Sequence, residues 1–561
     1  MATFSLENSK LESILERFLF WESTTPNDTF LRQPFGAEWK VLTYQEAGYE
    51  IRRVAQALRK FGLKKGDHVA IISKNCYHWV LADLAITLAG LVSVPFYPSL
   101  PKKQLQEVVE KSDIKAAFLG KVEQWGDRSD IFEENIHCIR FPQYPGNAKI
   151  NIGSDWSEIL KTEIPTGKDQ LPELDDLWTI LFTSGTTGSP KGVMHNHRNV
   201  ATISAVEDHY RSLDVPEKGR FFSYLPLNHV AERIGIVATA IHTGSSISFG
   251  ESIDTFAKNL QDTQPTFFLA VPRIWIKFQE GVLGKLSQKK LNMLLSIPFV
   301  SGKVKKKIKY ALGLSEATTT LTGAALTPIH VKEWYAKLGV NLREVYGMTE
   351  ACGSVTLARK DAALGENVGH PLPHTKVRID PNSGELQYHS SNPMLGYYKD
   401  PEKTAEVLQD GWIHSGDQAE IAKDGSIRIT GRVTDSFKTS KGKYIMPCPI
   451  ELALSKNEFI EQVCVAGLSI PQPIALVNLS QTAEAHDQSS IAASLESSLK
   501  EINQDLANYQ KVSTIVVKTE NWTEDNRLLT PTLKIRRNEV DRCFRDQYPN
   551  WHESDGKIIW D

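Results

Sequence analysis

The run Thr179-Ile180-Leu181-Phe182-Thr183-Ser184-Gly185-Thr186-Thr187-Gly188-Ser189-Pro190-Lys191-Gly192 is the most informative stretch of this 561-residue chain. A short apolar strand delivers the backbone into a loop crowded with Ser, Thr and Gly and closed by one lysine. Glycines let backbone N–H groups approach phosphate oxygens, hydroxyls add donors, and Lys191 adds positive charge, so the composition suits a polyphosphate. Such clusters also build ordinary surface turns, and composition alone leaves both readings open. The spacing departs from the G-x-x-x-x-G-K-[ST] template of P-loop ATPases.

Outward from this loop the chain alternates. A strand over His68–Ser73, a helix from Tyr77, a strand over Leu91–Phe96, a helix from Lys102 and a strand over Ala116–Leu119 precede it. Short apolar strands around Ile180, Phe221 and Phe267 each run into a polar loop. Alternation of this kind predicts an α/β fold with mainly parallel sheets flanked by helices and ligands at strand C-terminal ends. Ser9-Lys10-Leu11-Glu12 reads as a capping box for a first amphipathic helix. Trp79–Pro95, apolar but for Asp83, reads as a buried helix leading into a strand, too interrupted to span a bilayer.

From about 365 to 430 short strands and Gly, Pro and Asp turns suggest a small β-rich subdomain. The expected division is an N-terminal domain over 1–430 and a smaller α+β C-terminal domain over 431–561. That length exceeds a single core. The net charge of -3 offers no global field for nucleic acid. Six scattered cysteines without a C-x-x-C pair argue against zinc and a disulfide framework, and with no secretory start at the N-terminus the expected location is cytoplasmic.

Read whole, the Thr179–Gly192 run resembles the signature loop of the adenylate-forming superfamily of acyl-CoA synthetases, luciferases and adenylation domains. Other elements follow in that family's order. Gly323-Ala324-Ala325 resembles the turn that packs on adenine, and Tyr346-Gly347-Met348-Thr349-Glu350 resembles the motif that stacks the base, binds the α-phosphate and holds Mg²⁺. Asp417 and Arg432 match the ribose-binding pair, and Asp435 matches the hinge between domains, although Thr434 stands where a lysine is usual. Gly442 matches the glycine beside the coenzyme A channel, and Leu529–Lys534 resembles the loop carrying the adenylation lysine.

The resemblance implies nucleotide contacts from Thr183, Ser184, Gly185, Thr186, Thr187, Gly188, Lys191, Gly323, Ala324, Tyr346, Gly347, Thr349, Asp417 and Arg432. It implies catalytic roles for Lys534, Thr349, Glu350 and His229, with Glu350 on the metal. ATP, Mg²⁺ and coenzyme A are the implied cofactor and co-substrates. Leu225–Arg233 and Val271–Trp275 resemble segments of the long-chain fatty acyl-CoA synthetase branch, which implies a fatty acid as substrate. Alternatives are an acyl-AMP ligase loading a carrier protein, a luciferase-like monooxygenase, or a non-catalytic nucleotide-binding protein. The first usually has an insertion after the hinge, which Asp435–Glu451 lacks, and Lys534, Glu350 and Asp417 together speak against the last.

Over 300–312, Val300, Val304, Ile308 and Leu312 form one helical stripe among five lysines. Such a helix can rest on an anionic membrane or sit solvated on the domain surface, the second being the preferred reading.

Overall fold

The computed structural model describes residues 10–132, 135–183, 190–209, 215–373, 375–391, 393–530 and 533–561, with backbone alone over 205–209. Among the described residues, two large mixed sheets dominate. In one, the strands run in the order Gly396–Tyr397, Lys191–Asn196, Leu177–Thr183, Val92–Phe96, His68–Ile72, Ile114–Leu119, His137–Arg140 and Ser154–Asp155. Its pairs are parallel except at the Gly396–Tyr397 and Lys191–Asn196 end. The second sheet places Arg220–Ser223, Phe267–Ala270, Thr319–Gly323 and Leu342–Met348 parallel in its middle, with antiparallel strands at both edges. The α/β reading therefore holds.

Between the sheets lies a layer of helices. Tyr77–Leu88 is buried along its whole length, which explains why it shows no polar face in the sequence. Its single acid, Asp83, meets the buried guanidinium of Arg233 through two hydrogen bonds of 2.6 and 3.1 Å. Arg233 also donates to Thr179 Oγ1 and lies 4.0 Å from the ring centre of Trp178. Removing either partner would leave a buried charge unpaired, a loss of about 3–5 kcal/mol. This pair ties the central helix to the strand that launches the signature loop.

The first helix is Ile14–Thr24, capped by Ser13 with Glu16 answering it; Ser9 lies outside the described residues, and Glu12 precedes the helix. Both tetrads fit the capping pattern, and the helix that begins after Ser13 buries Leu15, Phe18 and Trp21 along one face.

Within the stretch expected to be β-rich, Thr375–Ile379, Glu385–Ser390, Leu408–Gln409, Trp412–Ile421 and Ile427–Arg432 form one antiparallel sheet. His370–Pro371 and Gly396–Tyr397 pair instead with the two large sheets. The last region holds the four strands Ile460–Ala466, Ile474–Leu479, Ile515–Val517 and Ile558–Trp560, covered by the helix Gln488–Asp505. No described helix is long and apolar enough to cross a membrane.

Candidate active site

The ends of the central strands, the antiparallel sheet and the last region enclose a cavity of about 1100 Å³. Thr183 closes the strand Leu177–Thr183 directly opposite Lys191 on the returning strand, so the stem of the signature loop is a β-ladder. Ser184, Gly185, Thr186, Thr187 and Gly188 lie outside the described residues. Lys191 lines the cavity 5.7 Å from the Tyr397 ring centre. Burial, with Lys403 second, pushes its ammonium below the ordinary lysine range, against the opposing pull of Glu350.

Across the cavity Leu342–Met348 ends in the Tyr346–Glu350 motif. Gly347 sits where the chain passes Gly353, and a Cβ there would stand 2.0 Å from the Gly353 carbonyl oxygen, so no larger residue fits. Gly323 is similarly confined by the Val345 carbonyl at 2.6 Å. The next residue, Ala324, adopts φ +68°, a strained left-handed turn for a residue with a side chain. The Tyr346 hydroxyl donates to Asp417 at 2.7 Å, and Arg432, register partner of Asp417, donates to its other oxygen at 3.2 Å. Each carboxylate oxygen keeps further acceptor capacity. Burial raises the Asp417 pKa, Arg432 being the largest opposing influence.

Glu350 accepts from the Tyr397 hydroxyl at 2.7 Å, and its backbone carbonyl accepts from Met394 N–H at 2.9 Å. Thr349 is held from behind. His195 Nε2 meets the Thr349 carbonyl at 2.7 Å, and Asn199 Nδ2 meets His195 Nδ1 at 3.0 Å. The pairing fixes a neutral imidazole with its proton on Nε2, and burial, the main cause, lowers the His195 pKa to about 4.

His229 caps the short helix Val230–Glu232, its Nδ1 accepting from Ala231 N–H at 3.2 Å. Acceptance at Nδ1 places the proton on Nε2. Burial, with the Lys534 charge second, brings the His229 pKa to about 4. Lys534 is tied to Thr530: its N–H donates to Thr530 Oγ1 at 3.0 Å and its carbonyl accepts from Thr530 N–H at 2.8 Å. Its ammonium is open to cavity solvent yet walled by protein. That enclosure lowers its pKa, with Asp417 opposing and Arg432 reinforcing the shift.

The structure thus brings Thr183, Lys191, His229, Gly323, Ala324, Tyr346, Gly347, Thr349, Glu350, Asp417, Arg432, Asp435 and Lys534 onto one cavity. Gly442 is outside the lining; it turns the hairpin between Phe437–Lys438 and Tyr444–Ile445 at φ +75°. Asp435 follows the strand Ile427–Arg432 and faces Arg537, Oδ2 to Nε 3.6 Å. Arg537 in turn donates to Glu451 at 2.6 Å.

Sequence reasoning missed four features. Tyr397 and His195 reach the motif from distant strands. An apolar part of the cavity lining comes from Ile234, Gly235, Phe267, Leu269, Leu321 and Leu357. Arg273 of the helix Pro272–Leu283 pairs with Glu461 of the last region at 2.5 Å. All four involve side chains far apart in the chain, which no local pattern announces; the apolar lining also draws on a π-helical stretch at Arg233–Ala238.

Residues 20–398 match the AMP-binding enzyme family, and residues 434–551 match the AMP-binding enzyme C-terminal domain. The chain belongs to the AMP-binding enzyme family. The resemblance read from the signature loop is therefore borne out. Among AMP-binding enzymes it is similar to fatty acyl-CoA synthetase B of Dictyostelium discoideum, 28% identical over 91% of this chain and 84% of that protein. It is also similar to long chain acyl-CoA synthetase 2 of Arabidopsis thaliana, 27% identical over 92% of this chain and 88% of that one. In fold it is similar to the anthranilate CoA ligase AuaEII in complex with anthranoyl-AMP, with a TM-score of 0.78 at 18% identity, covering 97% of this chain and all (100%) of that one.

Proposed function

We propose that this AMP-binding enzyme is an acid–thiol ligase that activates a fatty acid as its acyl-adenylate and then forms acyl-CoA, releasing AMP and pyrophosphate. The observation that carries the reading is a single cavity lined together by Lys534, the Asp417–Arg432 pair, the Tyr346–Glu350 motif and the apolar residues Ile234, Phe267, Leu269, Leu321 and Leu357. The relatives' names, fatty acyl-CoA synthetase and long chain acyl-CoA synthetase, support the same substrate class.

In the first half-reaction a carboxylate oxygen attacks the α-phosphorus of ATP and pyrophosphate leaves. Two anions must be held together while charge develops on the phosphoryl group, so catalysis is chiefly electrostatic. Lys534 is proposed to bridge carboxylate and α-phosphate, with Thr349 orienting a phosphate oxygen and His229 presenting its Nε2–H beside them. Tyr346 is proposed to stack on adenine, and Asp417 with Arg432 to hold the ribose. Lys191, on the cavity wall, is proposed to face the phosphates.

Glu350 suits a Mg²⁺ ion held mainly by nucleotide phosphates and water, since one carboxylate meets a hard cation and no cluster of three or more His, Cys, Asp or Glu stands together among the described residues. Bound there, the ion would neutralise phosphate charge. In the second half-reaction the coenzyme A thiol displaces AMP. Gly442 lies away from the cavity while Lys534 occupies it, so a rotation near Asp435 is proposed to exchange the two faces.

Incubating the protein with ATP, Mg²⁺ and coenzyme A against a chain-length series of fatty acids, and following AMP and acyl-CoA by mass, tests the proposal. Both products should rise together with the preferred acid. AMP without acyl-CoA would point to a different acceptor, and neither product with any acid would reject the reading.

A further inference from the structure

Two helices, Gln288–Ser296 and Val300–Ala311, form a hairpin joined by Ile297-Pro298-Phe299. The stripe of the second helix faces inward: Ile308 is buried, and Val304 and Leu312 pack against the same cluster as Leu291 and Val331. That face is consumed by the domain and cannot meet a membrane. The tip behaves oppositely. Phe299 is 93% exposed and adopts φ +62°, a conformation a bulky side chain rarely accepts, and Ile297 in the same turn and Met293 on the preceding helix are exposed as well. A strained backbone holding a phenyl ring in water is the kind of outlier that points to use.

The two helices of the hairpin are basic along their length. Between Glu280 and Glu316 the chain carries Lys285, Lys289, Lys290, Lys303, Lys305, Lys306, Lys307 and Lys309 and no acid. Exposed apolar residues on a turn between two lysine-bearing helices match the layered chemistry of an anionic bilayer, phosphates outside and hydrocarbon beneath. An acidic protein would complement the lysines but gives no reason to strain Phe299 outward.

We infer that the hairpin docks the protein on anionic lipid bilayers, the Ile297–Phe299 tip entering the interface and the flanking lysines resting on headgroup phosphates. The preceding helix, Pro272–Leu283, lines the cavity with Arg273, Ile276, Lys277 and Glu280 and runs on through residues 284–287 into the hairpin. On the proposed fatty-acid activity, docking brings the cavity wall toward the phase in which the substrate dissolves.

Flotation of the full chain with phosphatidylcholine vesicles, with and without about one-third phosphatidylglycerol, tests this. The protein should float only with the anionic vesicles and be released by added salt. Joint Lys303→Glu, Lys306→Glu and Lys307→Glu should weaken binding more than about tenfold. Phe299→Gly, which suits the left-handed backbone, should weaken it about fivefold or more. Ligase activity on a short, water-soluble acid without vesicles should be retained by all variants, because none of these residues lines the cavity. Absence of flotation, flotation unchanged in the variants, or retention on heparin without flotation would each overturn the inference. Flotation by a protein lacking ligase activity would leave docking standing and reject the functional proposal instead.

Discussion

At the residue scale, Lys534 concentrates the argument. Replacing it with Gln should lower adenylate formation by about 10²-fold or more, the range for removing one electrostatic stabiliser. Thioester formation from supplied acyl-AMP should change little, since the ammonium is proposed to leave before that step; rapid-quench assays of each half-reaction check this. The buried ionisable groups set a pH window for stability. His195 and His197 are both lowered to about 4 by burial, below the ordinary value of 6.5. Their neutral forms are required, so that stability is complete above pH 6.5 and declines as pH falls toward 4, by up to about 3 kcal/mol for each. Glu232 is the reverse: burial raises it to about 8, its Oε1 accepting from Tyr224 N–H at 3.0 Å while Oε2 has no partner. Its protonated form is favoured, so this contribution is complete below about pH 4.5 and is lost as pH rises through 8. Urea midpoints measured from pH 4.5 to 9 should fall at both ends, and Glu232→Gln should flatten the alkaline limb.

At the element scale, the proposed hinge and the Arg273–Glu461 ion pair make separable predictions. The Asp435 N–H donates to the Arg432 carbonyl at 3.2 Å, so Asp435→Pro both removes that bond and stiffens the turn. It should slow thioester formation more than adenylation; equal losses would count against a hinge there. Arg273→Ala removes a partly buried tie between the helix Pro272–Leu283 and the strand Ile460–Ala466. Adenylation should slow several-fold while acyl transfer from supplied acyl-AMP is unchanged, as two half-reaction assays would reveal. The alternation of strands and helices was legible because each strand is a short apolar run bounded by turn residues. The inward stripe over 300–312 was legible as a period but not as a destination, because the cluster it joins draws on other elements before and after it, Leu260, Leu291 and Val331 among them. Ser9 and Ser13 could not be separated by capping chemistry alone.

At the scale of the whole molecule, the site was legible where it is made of contiguous motifs and hidden where it depends on which strands become neighbours. Tyr346, Asp417 and Lys534 each stood out in their own run, yet only the fold puts Tyr346 on Asp417 and the Lys534 charge beside His229. Tyr397 reaches Glu350 because Gly396–Tyr397 pairs at the edge of the signature-loop sheet, a connection with no local trace. The cysteines have a different consequence. Cys76, Cys138, Cys352 and Cys464 are buried, and Cys448 is half-buried with its thiol pushed by burial to about 12, leaving Cys543 exposed on the helix Arg537–Phe544. A maleimide at neutral pH should therefore add once per native chain, with intact mass as the check. That single address lies on the part proposed to rotate, so a dye placed there, paired with a second on the first helix, would turn each catalytic cycle into a readable optical signal without the removal of any native thiol.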